Sequence, residues 1–394
     1  MAAPQESHAL DESSRWDTGR YHSIEDISNS KRVETFAKEG PLNVCDWVVT
    51  EKIHGSNLSF ITNGVQVQCA KRSRPLSDSE EFFGFQSVKE KYFSNILKLW
   101  RIMSTRNLIH STLNSSEKIV TIYGELFGGR YSHPDVKPVN SAVMCQFGIE
   151  YCPQNEFMAF DIFDGNDYLD YDLMTEIFAE SGVPFNKPLF RGSFEDAYRY
   201  DPKFTTTIPS IFGLPPLPFP NKAEGVIIKP VKTLHVTSGA TRQTRVILKI
   251  KSPDFVERVR SKKREFRETS RSERKKPREP MDNLFAELAT FINENRVASV
   301  ISKFGPIVTK GEEESELNER INQVSELLYK DALTDFNKDD ELRERTEKLP
   351  NWQQEVIWKR GNAEAMKVVK EYARKIKSVH LDNSKRDSSD GEYE

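Results

Sequence analysis

Two hydrophobic periods divide the chain. From Asp46 to about Ser252 the apolar residues fall in short runs rich in β-branched and aromatic side chains: "DWVVT", "LSFIT", "VQVQCA", "KIVTIYGEL", "FMAFDIF", "GVIIKP" and "TRVILKIK". Such runs predict strands. Two stretches between them, "SVKEKYFSNILKLWRIM" and "DLMTEIFAESG", carry the helical period instead. This mixture predicts an α+β body whose strands meet mostly as antiparallel neighbours. Beyond residue 280 only the helical period remains. Leu284, Leu288, Phe291 and Ile292 share one face behind a start at Pro280–Asp282, and "FGP" at 304–306 stops that run. Ile321, Val324, Leu327 and Leu328 form a second stripe. Val369, Tyr372, Ala373 and Ile376 form a third, behind a capping box of Asn351 and Gln354 that follows Pro350. Three apolar faces need burial, so a compact all-α unit is expected there.

The same pattern divides the chain into a polar, partly disordered N-terminal extension (1–40) and a β-rich domain (41–253). A linker (254–280), a small helical domain (281–380) and a disordered tail (381–394) follow. A length of 394 residues leaves room for two or three cored domains. The net charge of −3 conceals a local asymmetry, because Lys249 to Arg278 holds thirteen Lys/Arg against five Asp/Glu. Such a run is a solvated linker, a phosphate-contacting stretch or a nuclear address. Cys45, Cys69, Cys145 and Cys152 show neither CxxC spacing nor a nearby histidine, so no zinc site or disulfide framework is indicated and a reducing compartment is expected. "MAAPQESHALDE" lacks the features of a signal or transit peptide, and no apolar run approaches about 18 residues. The expectation is a soluble, cytoplasmic or nuclear protein with no membrane segment.

Three motifs carry the chemistry. "EKIHGSN" at 51–57 lies between "VCDWVVT" and "LSFI", so Lys52 sits where the chain leaves one strand and turns into the next. "EGVIIKP" occupies 224–230 and "LKIKS" 248–252. In the latter, the period of two puts Lys249 and Lys251 on one face and Leu248 and Ile250 on the other. Two ammonium groups pointing the same way are either solvated or turned toward phosphate oxygens. Each motif alone is weak.

In this order the three resemble the covalent nucleotidyltransferase superfamily of DNA ligases, RNA ligases and mRNA capping enzymes. In detail they are similar to the RNA ligase 2 family, which includes a phage nick-sealing ligase and the trypanosome RNA-editing ligases. "CAKR" at 69–72, "EEFFGF" at 80–85, "YGELFGG" at 123–129 and "FDIF" at 160–163 extend the resemblance from about residue 40 to 252, and more loosely through the helices. His54 stands where DNA ligases and capping enzymes carry aspartate. The fold implied is an antiparallel-sheet, ATP-grasp-like nucleotidyltransferase domain (41–253) followed by the small helical domain.

The resemblance also implies roles. Lys52 is the nucleophile that attacks the α-phosphorus of ATP, and its pKa must fall for the amine to be neutral; burial beside Lys249, Lys251 and a metal works in that direction. Glu51 and Gly55 border the nucleotide, Gly55 by close approach of backbone to ribose. Asn57 and Glu224 organise the metal, while His54 serves the sealing steps. Arg72 contacts the nucleotide phosphate and later the RNA 5′-phosphate. Glu125 grips the ribose hydroxyls, Phe160 stacks on adenine, and Lys229, Lys249 and Lys251 contact phosphates. Glu224 and Lys229, five apart, would lie on opposite faces of an ideal strand, so either Gly225 breaks the pleat or Glu224 precedes the strand.

The activity implied is that of an ATP-dependent RNA ligase, using Mg2+ or Mn2+, acting as a monomer on RNA, preferably at nicks in duplex RNA. A DNA ligase or capping-type enzyme is the alternative within the superfamily, and a catalytically idle RNA-binding protein the alternative outside it. A fragment ending near Pro253 is expected to adenylate Lys52 without sealing a nick.

Overall fold

The computed structural model describes residues 21, 24–27, 36, 42, 45–111, 117–238, 242–253, 280–309 and 311–389. The basic run at 254–279 and most of the N-terminal extension lie outside the described residues. The strands in chain order begin with β1 (Glu25–Asp26), β2 (Trp47–Glu51), β3 (Ser56–Thr62), β4 (Val67–Lys71), β5 (Arg74–Pro75) and β6 (Val120–Arg130). They continue with β7 (Cys152–Phe163), β8 (Pro188–Gly192), β9 (Gly225–Pro230), β10 (His235–Ser238), β11 (Arg242–Arg245) and β12 (Leu248–Lys251). The body helices are α1 (Phe85–Thr105), α2 (Tyr171–Ser181), α3 (Phe194–Tyr198) and α4 (Ile208–Ile211). The C-terminal helices are α5 (Pro280–Phe291), α6 (Glu294–Phe304), α7 (Glu314–Phe336), α8 (Asp340–Glu347) and α9 (Asn351–Ser389).

One five-stranded sheet has the order β1-β12-β9-β2-β8 and the other β5-β4-β3-β6-β7, with β10 and β11 as a separate hairpin. Among the described strands every strand-to-strand pairing is antiparallel except β1 on β12. The fold is α+β, as expected. Alternation decides what each sheet covers: Trp47, Val49, Val226, Ile228 and Leu248 form one core, with Phe36 and Ala197 against it. The second sheet buries Leu58, Phe60, Ile122 and Phe157 under α1 and α2, and this core continues into the C-terminal helices through Leu288, Val297, Leu328 and Val369.

Four helical expectations need correction. The run from Pro280 to "FGP" is two helices, because the Asn293 side chain accepts from the Arg296 amide and starts α6 anew. Leu327 is 44% exposed and leaves the stripe that Ile321, Val324 and Leu328 keep. No capping box opens α9: the Gln353 and Gln354 amides bond the Pro350 carbonyl, and the Gln354 side chain donates to Leu349 O. The helix also passes the expected 381 boundary, running to Ser389. "TRVILKIK" likewise divides at Val246–Ile247, where the Val246 amide donates to Leu234 O instead of to a neighbouring strand.

Candidate active site

A cavity of about 270 Å³ lies between the sheets, and all twelve residues singled out from the sequence line it: Glu51, Lys52, His54, Gly55, Asn57, Arg72, Glu125, Phe160, Glu224, Lys229, Lys249 and Lys251. The chain crosses from one sheet to the other between the end of β2 at Glu51 and the start of β3 at Ser56, so Lys52 hangs in the gap. Its amide still donates to Gly225 O at 2.8 Å, which extends the β2–β9 ladder one residue and fixes the turn. Gly55 is required here by protein contact: a Cβ would stand 2.2 Å from the Leu126 carbonyl oxygen of β6. Register then sets Asn57 opposite Glu125 on β3 and β6. On the other wall Gly225 is opposite Lys251, and Ile227 opposite Lys249.

Both explanations offered for the Glu224–Lys229 spacing hold. Glu224 precedes β9, and Gly225 has φ +150° with Ile250 O at 2.0 Å from any Cβ. Glu224 is buried at 2% exposure and forms the centre of the charge cluster. Lys52 Nζ donates to its Oε2 at 2.6 Å, His54 Nδ1 lies 3.5 Å from the same oxygen, and Lys251 Nζ is 3.4 Å from Oε1. Burial works against this carboxylate's charge, but Lys52, His54 and Lys251 hold its pKa well below the usual range. Glu125 has weaker compensation, and burial with the Glu224 charge pushes it up to about 7 against Lys52 and Arg72.

Lys52 corrects an expectation. Burial lowers its pKa, yet Glu224 and Glu125 more than offset this, and the net shift is upward. Two other lysines of the cavity have lowered pKa values: Lys229, through burial first, and Lys249, through burial first and then Lys251 and Lys52; the Lys249 Nζ donates to the Ile24 carbonyl at 3.0 Å.

Two side chains are engaged differently from expectation. Glu51 lines the cavity, but its carboxylate accepts from Thr206 Oγ1 and from Thr207 N and Oγ1. Lys229 Nζ donates to Phe160 O at 2.7 Å and Asp161 Oδ1 at 2.9 Å. Asp161 also receives both Arg245 nitrogens at 2.8 Å and Tyr21 OH at 2.5 Å. Burial opposes the Asp161 charge, but Arg245 and Lys229 hold its pKa far below the ordinary value. Tyr21 stands edge-on to Phe160, centroids 5.1 Å apart. Sequence reasoning passed over Tyr21, Asp161, Asn186 and Arg245; Asp161 stood inside the quoted "FDIF" and was open to notice.

It also missed a wall built by a C-terminal helix. Asn295, Ser299, Ser302 and Lys303 of α6 line the same cavity. The dock is held at β4, where Lys71 Nζ donates to Phe304 O at 3.2 Å, pairs with Glu80 at 2.9 Å and lies over the Phe82 ring. Alternation along "CAKR" thus gives Lys71 to the helices and Arg72 to the cavity. "EEFFGF" is the platform, with Phe82, Phe83 and Phe85 buried.

For a divalent cation, the described residues offer no group of three His, Cys, Asp or Glu. The carboxylate of Glu224 and the side-chain oxygen of Asn57 do border one cavity. That donor set fits a hard cation of the magnesium type, which takes one or two protein oxygens and fills its shell with water and substrate phosphates.

A family model described as RNA ligase matches residues 46–251, and one described as T4 RNA ligase 2 C-terminal matches residues 275–367. The chain belongs to the RNA ligase 2 family. RNA-editing ligase 2, mitochondrial, of Trypanosoma brucei brucei is 30% identical over 364 residues, 82% of this chain and 83% of that protein. RNA-editing ligase 1, mitochondrial, of the same organism is 28% identical over 369 residues, 80% of this chain and 74% of that protein. Among solved structures, a Naegleria gruberi RNA ligase mutant without ligand matches with TM-score 0.41 and 13% identity, over 61% of this chain and 57% of that one. Another mutant, solved with ATP and Mn, matches at TM-score 0.41 and 13% identity, over 61% and 58%. The chain is therefore an RNA ligase, and the DNA ligase, capping-enzyme and idle-binder readings give way. The mitochondrial relatives overturn the cytoplasmic or nuclear setting expected from the sequence. Among the described residues no helix is long and apolar enough to cross a membrane.

Proposed function

We propose that this RNA ligase is ATP-dependent and joins a 3′-hydroxyl to a 5′-phosphate in three steps, preferentially at nicks in duplex RNA, as a monomer and in mitochondria. In the first step neutral Lys52 Nζ attacks the α-phosphorus, the bond to the β-phosphate oxygen breaks, pyrophosphate leaves, and AMP stays on lysine as a phosphoramidate. In the second an RNA 5′-phosphate oxygen displaces Lys52 from the AMP phosphorus. In the third a 3′-hydroxyl attacks the RNA phosphorus and AMP departs.

The observation that carries this reading is one amine among other cations: Lys52 shares its cavity with Arg72, Lys249 and Lys251, and both Lys52 and Lys251 pair with the buried carboxylate of Glu224. Lys52 must lose the proton that Glu224 favours, and the like charges of Lys249 and Lys251 assist that loss. Glu224 and Asn57 would hold Mg2+ or Mn2+, which neutralises pyrophosphate when bound. Glu125 and Phe160 border the cavity where ribose and adenine would lie. Selection of RNA would rest on A-form shape and 2′-hydroxyls beside the nick. The expected activity in mitochondria follows the names of the trypanosome relatives.

The test is incubation with α-labelled ATP and a divalent metal. Labelled protein is expected from the parent and none from Lys52→Ala; label on the variant overturns the assignment. Sealing of nicked duplex RNA faster than of free single strands is the matching expectation for substrate.

A further inference from the structure

We infer that the polar face of α6, with Lys303 at its C-terminal end, is a phosphate subsite of the adenylation centre, filled first by the β-phosphate of ATP and then by the 5′-phosphate of RNA. The inference rests on the adenylation chemistry proposed above. Residues 295, 299, 302 and 303 recur at i, i+4, i+7 and i+8, one side of a helix, and all four line the cavity of Lys52. The opposite side of α6, Val297, Val300 and Ile301, is buried in the core. Its remaining charges point to other helices: Arg296 pairs with Asp331 and Asp335, and Glu294 with Lys375. The cavity face therefore presents an amide, two hydroxyls and an ammonium, a donor-rich set with no carboxylate, suited to phosphate oxygens.

Position adds to composition. Lys52 is tied to the first sheet through Glu224 and Lys251, whereas α6 is tied to the second sheet through Lys71, next to Arg72. Displacement at phosphorus proceeds with entering and leaving groups in line. In the first step pyrophosphate departs opposite Lys52, and in the second the RNA 5′-phosphate enters opposite Lys52, so both need the same place. A wall facing the lysine from the other sheet is where that place would be. Lys303 is exposed and pairs with no carboxylate among the described residues. A competing explanation is that Lys303 only complements the dipole at the end of α6, a role that would affect stability and not ATP.

The experiment uses full-length protein and two arms. One measures formation of the labelled enzyme against ATP concentration; the other measures transfer of label from isolated enzyme-AMP to nicked RNA bearing a 5′-phosphate. Lys303→Ala is expected to raise KM for ATP and to slow transfer, each by about tenfold, the value of one charge-assisted phosphate contact. Lys303→Arg is expected to restore both, and thermal unfolding to stay close to the parent. Parental behaviour of Lys303→Ala in either arm overturns the shared subsite. Absence of label on the parent protein would instead remove the adenylation reading itself.

Discussion

Lys52 Nζ lies 2.6 Å from Glu224 Oε2, across 172 residues of sequence, so the amine proposed as the nucleophile is held as an ammonium by the carboxylate beside it. The pairing stores the lysine in place and keeps a buried carboxylate compensated. It also sets a requirement on chemistry: the proton has to leave before attack. Lys52→Arg keeps the charge and the pair but cannot meet that requirement, because guanidinium is not deprotonated in this range. Lys52→Arg is therefore expected to fold and to form no labelled adduct with α-labelled ATP. Labelling of the variant would show that another group is the nucleophile.

Lys249 and Lys251 alternate with Leu248, which is buried, and Ile250, which packs on the same core. Their side chains contribute to the cavity and not to the apolar core, so their loss should be read in rate more than in stability. Lys249→Ala or Lys251→Ala is expected to cost about 2–4 kcal/mol of transition-state stabilisation in adenylation. Single-turnover labelling and a parallel melting curve separate the two effects. An adenylation rate equal to the parent's would reduce that lysine to a solvated strand residue.

Asp161 supports the same cavity from behind. Its carboxylate balances Lys229 and Arg245 and accepts from Tyr21, all of them buried. Asp161→Asn would leave two buried cations short of their anion and is expected to destabilise the fold by about 3–5 kcal/mol. The sign with pH follows from the depressed pKa of Asp161. Its contribution is fully present above the ordinary carboxylate value of about 3.9 and is lost as pH falls from there toward the lower folded-state value. Denaturant unfolding of parent and variant should therefore differ most at pH 5 and above and converge in acid. A constant gap down to pH 2 would assign the stability to packing around residue 161.

The parts of this site that were legible in the sequence are those set by neighbours along the chain. The Lys52 turn, the alternating lysines of "LKIK" and the glutamate before Gly225 are local patterns, and strand period alone tells which way their side chains point. What was not legible depends on docking. Tyr21 meets Asp161 across 140 residues, and Lys71 meets Phe304 across 233. Nothing in the period of α6 distinguishes a polar face turned to a cavity from one turned to water. The break at Asn293 could have been read, since asparagine before a helical period is an N-cap signal. The upward shift of Lys52 could not, because it depends on which carboxylate reaches the amine first.

Docking of the helices also changes what a shortened chain should do. Phe83 and Val143 share a small apolar cavity with Ile301, Ile307, Tyr372 and Ile376, and the Phe147 ring meets Tyr372 edge-on at 5.3 Å. A chain ending near Pro253 would present those body side chains to water, at about 1.5–3 kcal/mol for each large apolar group fully exposed. It would also lose the α6 wall while keeping Lys52, Glu224, Lys249 and Lys251. The fragment is therefore expected to melt below the full chain, to bind a hydrophobic dye, and to label Lys52 only at raised ATP. Nick sealing should fall further than labelling, because it requires both RNA ends to be held in line by phosphate contacts on either side of the break. Melting curves, ATP titration of labelling and sealing of nicked duplex RNA, run side by side on fragment and full chain, check all of this. Equal sealing would refute a role of the helices in holding RNA, and an equal ATP requirement would refute their contribution to the nucleotide cavity.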